Sequence, residues 1–141
     1  EAARVFKDAN ISLTAVAISP SFTELGWTMK PQEKEAVESA GIQVLTGLHG
    51  LADGVAEGFY GENTPGTVIC DTLRCFSQGM KVAVEIAVMA AEAGLVSTEE
   101  KILTIAGHDE GCDTAIVIKP AYARKIKQTR VLEIICKPYE D

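Results

Sequence analysis

The residues best suited to chemistry form a polar stripe within an apolar stretch of the chain, at alternating spacings of three and four residues: Asp71, Arg74, Gln78, Lys81 and Glu85. Those spacings place all five side chains along one side of a helix. The sequence neighbours of Glu85 are nearly all apolar, so its carboxylate is expected to be buried and to need a partner, and Lys81, one turn earlier, is the natural one. Two interpretations stay open. The stripe is either a structural ion pair with a polar edge at a subunit interface, or the lining of a ligand cleft.

A loop after a predicted strand provides further ligand-binding candidates, namely Gly107, His108, Gly111, Asp113 and Thr114. Open α/β sheets commonly bind ligands beyond the carboxyl end of a strand, and glycines let backbone N–H groups converge on an anion. Three acidic residues oppose a phosphate there: Asp109, Glu110 and Asp113. His108 and Cys112 could form a thiol–imidazole pair, but no third catalytic group is indicated, and ordinary loop residues are the favoured interpretation.

A second loop after a strand contains Thr46, Gly47 and His49, which could face the same cleft. Metal binding is not expected, because the four cysteines form no CxxC pair and only two histidines are present. Free thiols in a reducing, cytoplasmic location are the simpler interpretation. No apolar run is long enough to span a bilayer, and we expect no membrane partner.

Charge is unevenly distributed along the chain. The net charge of −7 argues against a nucleic-acid partner. Residues 119–141 nevertheless carry a net charge of +3, against −10 for residues 1–118. The basic side chains cluster at Lys119, Arg124, Lys125, Lys127 and Arg130. A solvated surface helix is the favoured interpretation of this cluster, and an anion site or an oligomer contact is the alternative.

Strand and helix signals alternate along the chain, which predicts one α/β domain over residues 1–141 with a mostly parallel sheet of about five strands. The strands are expected at residues 12–18, 42–46, 101–106, 114–118 and 131–136. Helices are expected at residues 31–40 and 67–93, the second divided or kinked at Gly79. The late connections are short, so one strand is expected to be antiparallel.

Three segments carry a family resemblance: ICDTLRCFSQGMKVAVEIAVMAAEAGLV, TIAGHDEGCDTAIVIKPA and VLEIICKP. Over nearly the whole chain the sequence resembles stand-alone proteins related to the C-terminal α/β domain of pyruvate kinase. The resemblance implies a three-layer α/β/α sandwich with one antiparallel strand in a mixed sheet. It also implies that an N-terminal strand and loop are missing here. Pyruvate kinase catalysis is not expected, because the barrel that carries it in pyruvate kinase is absent from this sequence.

The resemblance makes a phosphorylated small ligand the leading expectation, either a sugar phosphate or a flavin nucleotide such as FMN. Two alternatives remain: a structural module that forms a homo-oligomer by pairing its long helix with a second copy, and an enzyme. The enzyme would use Glu85 or Asp71 as general base, with Lys81 or Arg74 stabilising charge.

Overall fold

A computed structural model describes residues 2–6, 9–52, 54–61, 63–109 and 111–139. The chain divides into two compact units, residues 1–47 and residues 48–141. The single domain predicted over residues 1–141 stays a prediction.

The first unit is a β–α–β element. After a short helix α1 (Ala2–Val5), strand β1 (Thr14–Ile18) pairs in parallel with strand β2 (Gln43–Gly47). A 3-10 helix (Pro20–Leu25) and helix α2 (Pro31–Ser39) connect them. Pro31 begins α2, where its missing N–H is no loss, and Gly41 follows the end of the helix at a φ of 77°. The helix expected at residues 31–40 is therefore confirmed, and Gly41 ends it.

The second unit begins with three helices: α3 (Val55–Tyr60), α4 (Pro65–Arg74) and α5 (Gln78–Glu92). The predicted interruption of the long helical region is real, but its predicted position at Gly79 is wrong. The break falls at residues 75–77, because the Ser77 side chain accepts a hydrogen bond from the Met80 N–H at 3.0 Å and so begins α5 as its N-cap.

The second unit ends in a three-stranded antiparallel sheet in the order β3 (Ile102–Ala106), β4 (Thr114–Lys119) and β5 (Arg130–Cys136). A 3-10 helix (Ala123–Gln128) connects β4 to β5. Side chains alternate along β4, so that Thr114, Ile116 and Ile118 are buried and the residues between them are less so. The buried face packs against α5. There the small Ala83 and Ala87 let the helix lie close to the sheet.

The predicted fold class is wrong. In the described residues the strands form a two-stranded parallel sheet and a separate three-stranded antiparallel sheet, an α+β arrangement. The described residues do not form the mostly parallel five-stranded sheet that was predicted for an α/β/α sandwich. A parallel connection needs a crossover of a dozen or more residues. Only residues 107–113 separate β3 from β4, and only residues 120–129 separate β4 from β5. Both late connections therefore join antiparallel neighbours, and β4 is the one strand of this sheet that runs opposite to the other two, as the short connections predicted.

Candidate functional site

The polar stripe falls into an exposed part and a buried part. In the exposed part, the Arg74 guanidinium joins the two helices: it donates to Asp71 Oδ1 at 2.8 Å on α4 and to Gln78 Oε1 at 2.9 Å on α5. These side chains support each other across the break between the helices. Surface contacts of this kind contribute modestly to stability and do not by themselves form a cleft.

The buried part is the ion pair of Lys81 and Glu85, whose side chains are 5% and 2% exposed. Lys81 Nζ lies 2.5 Å from Glu85 Oε2, and the Leu51 backbone N–H donates to Glu85 Oε1 at 3.2 Å. Each carboxylate oxygen thus has a partner within the protein, which is what a buried charge requires. The predicted pair is confirmed, and its surroundings fit a structural role better than that of a general base.

The Leu51 contact was not predicted from the sequence. The loop containing it lies directly against α4 and α5: a Cβ added at Gly50 would lie 3.1 Å from Met89 Cγ, and one added at Gly66 would overlap the Leu51 carbonyl oxygen. Two glycines therefore allow the close approach that brings the Leu51 N–H to Glu85. In the sequence, the only indication of this close approach was the presence of glycines in and after the loop.

Cys70, on the inner side of α4, was also not predicted as part of this region. Its side chain is fully buried, and burial raises the pKa of its thiol, with the nearby Lys81 acting in the opposite direction. A buried neutral thiol behaves as a small apolar side chain and is not a nucleophile. The group of Cys70, Lys81 and Glu85 is therefore best described as a polar centre within a packed core.

The loop after β3 closes on itself. The Asp113 N–H donates to the Ala106 carbonyl at 3.0 Å, and a Cβ at Gly107 would lie 2.5 Å from the Gly111 carbonyl oxygen. His108 is half-exposed, and its Nε2 lies 3.7 Å from Asp109 Oδ1. Glu110 lies outside the described residues.

The end of this loop meets the start of α5. Thr114 Oγ1 donates to Asp113 Oδ1 at 2.6 Å and lies 3.2 Å from the buried Ser77 Oγ. Gly79 lies so close that a Cβ there would meet both Thr114 and Asp113. The N-terminus of a helix favours negative charge, and here the Asp113 carboxylate of the protein itself supplies it. The predicted loop is thus joined to the start of α5 at Ser77 and Gly79, but its own carboxylate takes the place that an anion would need.

Thr46 and Gly47 are the last two residues of β2, paired with Ala17 and Ile18 in the ladder of the first unit. His49 belongs to the second unit. The candidate group of Thr46, Gly47 and His49 is therefore divided between the two units and is not assembled within either one.

A cleft of about 370 Å³ in the second unit gathers part of the basic cluster. Lys119 ends β4, Arg130 begins β5, and Lys125 comes from the 3-10 helix between them. The buried Pro120 and Ala121 contribute to the wall. The other polar side chains lining the cleft include Glu99, Tyr122 and Gln128. Three of the five residues in the basic cluster thus line one concave surface.

Hydrogen bonds that involve the main chain hold the segment between β4 and β5 and the Arg130 side chain in place. Glu92, the last residue of α5, accepts a hydrogen bond from the Ala123 N–H at 2.6 Å and so holds the start of the 3-10 helix. One nitrogen of Arg130 donates to the Lys127 and Thr129 carbonyls at 2.7 and 2.8 Å. The Arg130 side chain is therefore held beside the cleft before any ligand binds.

Lys119 and Arg130 are direct partners in the β4–β5 register. Directly opposed residues of neighbouring antiparallel strands have Cβ atoms about 4.5–5.5 Å apart, and like charges there are destabilising. Among the described residues that line this cleft, the one carboxylate is Glu99, whose Oε2 lies 3.7 Å from Lys119 Nζ. The cleft therefore concentrates positive charge on a chain whose net charge is −7.

No model of a known protein family matches this sequence. Within the described part of the chain, no helix is both long and apolar enough to cross a membrane. In those same residues, no three side chains of His, Cys, Asp or Glu come together as the ligands of a metal ion would.

Proposed function

We propose that this protein is a non-catalytic binding domain for a phosphorylated small molecule, and that the cleft of Lys119, Lys125 and Arg130 is its binding site. The carrying observation is the direct opposition of Lys119 and Arg130 across β4 and β5 at one concave surface. Opposed cations cost stability when they stand alone, and an anion between them reverses that cost.

The volume of the cleft supports a small ligand. About 370 Å³ lies in the range of pockets that bind metabolites and cofactors. Lys125 adds a third cation, while the exposed faces of Tyr122 and Gln128 offer a ring and an amide to the remainder of the ligand. The resemblance to the pyruvate kinase C-terminal domain supports the same ligand class, of which sugar phosphates and FMN remain the two members to test.

The location of the proposed site differs from the loop favoured by the sequence. Around Gly107–Thr114 the described acidic groups are Asp109 and Asp113, and Asp113 already faces the start of α5. A phosphate there would meet carboxylates. At the cleft it meets two lysines and an arginine, whose planar guanidinium matches phosphate geometry.

A structural module built on pairing of the long helix is less well supported. Val84 packs with Ala106 and Ile116 in the core of the second unit, so this side of α5 is covered by the sheet of its own chain. A homo-oligomer would have to use another surface. We also propose a cytoplasmic location, which fits the free state of Cys70, Cys75, Cys112 and Cys136.

The test is ligand-dependent stabilisation of the full chain. Inorganic phosphate, ribose 5-phosphate, fructose bisphosphate and FMN are each titrated while the melting temperature is followed, because a ligand that binds the folded state raises it. We expect at least one phosphorylated compound to stabilise the protein, with an effect that falls as ionic strength rises. If none of them stabilises it, the proposal is wrong.

Variants of the lining residues test whether the ligand binds at this cleft. Lys125→Gln and Arg130→Gln each remove a charged donor, and each is expected to weaken binding about tenfold or more. Lys127→Gln is the matched control, because Lys127 belongs to the same 3-10 helix as Lys125 but does not line the cleft. Equal effects of Lys125→Gln and Lys127→Gln would place the ligand elsewhere.

A further inference from the structure

Glu99 is a carboxylate among cations at the proposed site. It lies just before β3, and its backbone N–H donates to Ser97 Oγ at 3.0 Å, which orients this residue. The Oε2 atom lies 3.7 Å from Lys119 Nζ, and the side chain is 86% exposed. An ion pair of this length and exposure contributes little to stability, so Glu99 is not needed to hold the fold together.

We propose that Glu99 determines which anions the cleft accepts, an inference that rests on the proposed function. An anion that binds Lys119 and Arg130 brings its oxygens close to the Glu99 carboxylate. An ionised carboxylate can only accept hydrogen bonds. A ligand with no proton to donate therefore meets repulsion from Glu99, whereas a ligand that carries an O–H beside its anionic group donates to it.

The ligand class follows from this requirement. Sulfate carries no proton near neutral pH and has nothing to offer Glu99. Hydrogen phosphate carries one O–H, and a phosphorylated sugar or polyol carries hydroxyl groups next to its phosphate ester. The cleft is therefore selective for phosphates accompanied by hydroxyl donors, and a site made for such a donor discriminates against analogues that lack it. This selectivity belongs to Glu99 and not to the cations, which attract both kinds of anion.

The experiment compares inorganic phosphate with sulfate, each titrated at pH 7 and constant ionic strength into the full chain and followed by calorimetry or NMR. Wild type is expected to bind phosphate about five- to tenfold more tightly than sulfate, the order of magnitude of one modest hydrogen bond. In Glu99→Gln the preference falls to nearly one, mainly because sulfate binds more tightly. The matched control is Glu100→Gln, which removes the same charge one residue further on, from a side chain that does not line the cleft. That variant keeps the wild-type preference.

The outcomes separate this inference from the proposed function. If both anions bind wild type equally, or if Glu99→Gln keeps the preference for phosphate, the role of Glu99 is wrong while anion binding at the cleft stands. If neither anion binds and none of the phosphorylated compounds named above stabilises the protein, both proposals are wrong. Comparing glycerol 3-phosphate with propyl phosphate then extends the test, because only the former carries free hydroxyl groups. Wild type should prefer it, and Glu99→Gln should not.

Discussion

Two charged regions of the second unit use the same kinds of side chain in opposite surroundings. At the Lys81–Glu85 pair, one cation and one carboxylate are buried together, and the Leu51 N–H supplies a further partner. At the cleft, Lys119, Lys125 and Arg130 lie at the surface, and Glu99 is the one carboxylate among the described residues that line it. Opposite charges buried together neutralise each other, whereas an excess of one charge at a concave surface is available to a ligand.

The largest change in stability is expected from a variant that breaks the buried pair. Glu85→Ala leaves the Lys81 ammonium without its carboxylate in a packed interior, which should lower the free energy of unfolding by about 3–5 kcal/mol. Urea denaturation measures the change. The double variant Lys81→Met/Glu85→Leu should recover most of the loss, since it removes both charges.

An exposed pair at the same helical spacing provides the control. Lys34 Nζ and Glu38 Oε1 lie 3.8 Å apart on α2, with both side chains about half-exposed. Glu38→Ala should cost less than about 0.5 kcal/mol. Similar losses for Glu85→Ala and Glu38→Ala would show that burial does not distinguish the two pairs.

A smaller loss of stability is expected at the start of α5, where Thr114 and Asp113 pack against Gly79. In Gly79→Ala the new methyl group overlaps the Thr114 hydroxyl, so the loop end must move, at a cost of about 1–3 kcal/mol. Gly58→Ala in α3 is the control, because a Cβ there meets nothing within 4 Å. That variant should be stabilising by about 0.4–1 kcal/mol. If Gly79→Ala is as stable as wild type, the start of α5 is open, and the contrast with the cleft is lost.

The stability of the protein at alkaline pH tests whether Cys70, and with it the polar centre, is buried. Burial raises the pKa of this thiol in the folded state. Above about pH 9.0 the unfolded chain loses the proton while the folded chain keeps it, so the free energy of unfolding falls as pH rises. The slope due to one group is at most about 1.4 kcal/mol per pH unit.

The measurement is the stability difference between wild type and Cys70→Ala from pH 7 to 10. The alkaline decrease should be shallower in the variant, and Cys136→Ala, at an exposed position, should keep it. A thiol reagent should label Cys75, Cys112 and Cys136 in the folded protein and Cys70 only after unfolding. Rapid labelling of Cys70 in the native state would contradict its burial.

The smallest change in stability is expected at the cleft, where removing a charge should stabilise the protein and not destabilise it. Lys119→Gln removes one of two directly opposed cations and should raise the free energy of unfolding by about 0.2–1 kcal/mol without ligand. The gain should disappear at high salt, because screening already removes the repulsion. Denaturation at low and high ionic strength provides the measurement, with Lys101→Gln as a control at an exposed lysine before β3. A loss of stability at low salt would show that Lys119 is structural.

The pairing of Lys81 with Glu85 could be predicted from their spacing alone, because residues four apart on a helix are neighbours wherever the helix lies. Strand positions were predictable for a similar reason, since runs of apolar and β-branched residues favour a strand locally, even at β5, whose residues are exposed. Two expectations went beyond such local patterns. One was that Thr46, Gly47 and His49 face a common cleft, and the other was that a phosphate binds at Gly107–Thr114. Both assumed a parallel sheet whose strand ends share one edge.

Local sequence therefore determined which segments form helices and strands, where α2 ends, and that Glu85 needs Lys81. These properties depend on neighbours within about one helical turn or one strand. Only the tertiary structure decided that Lys119 lies opposite Arg130, that Glu99 pairs with Lys119, and that the Leu51 N–H donates to Glu85. Those contacts depend on strand direction, register and loop packing, which no local pattern of residues specifies.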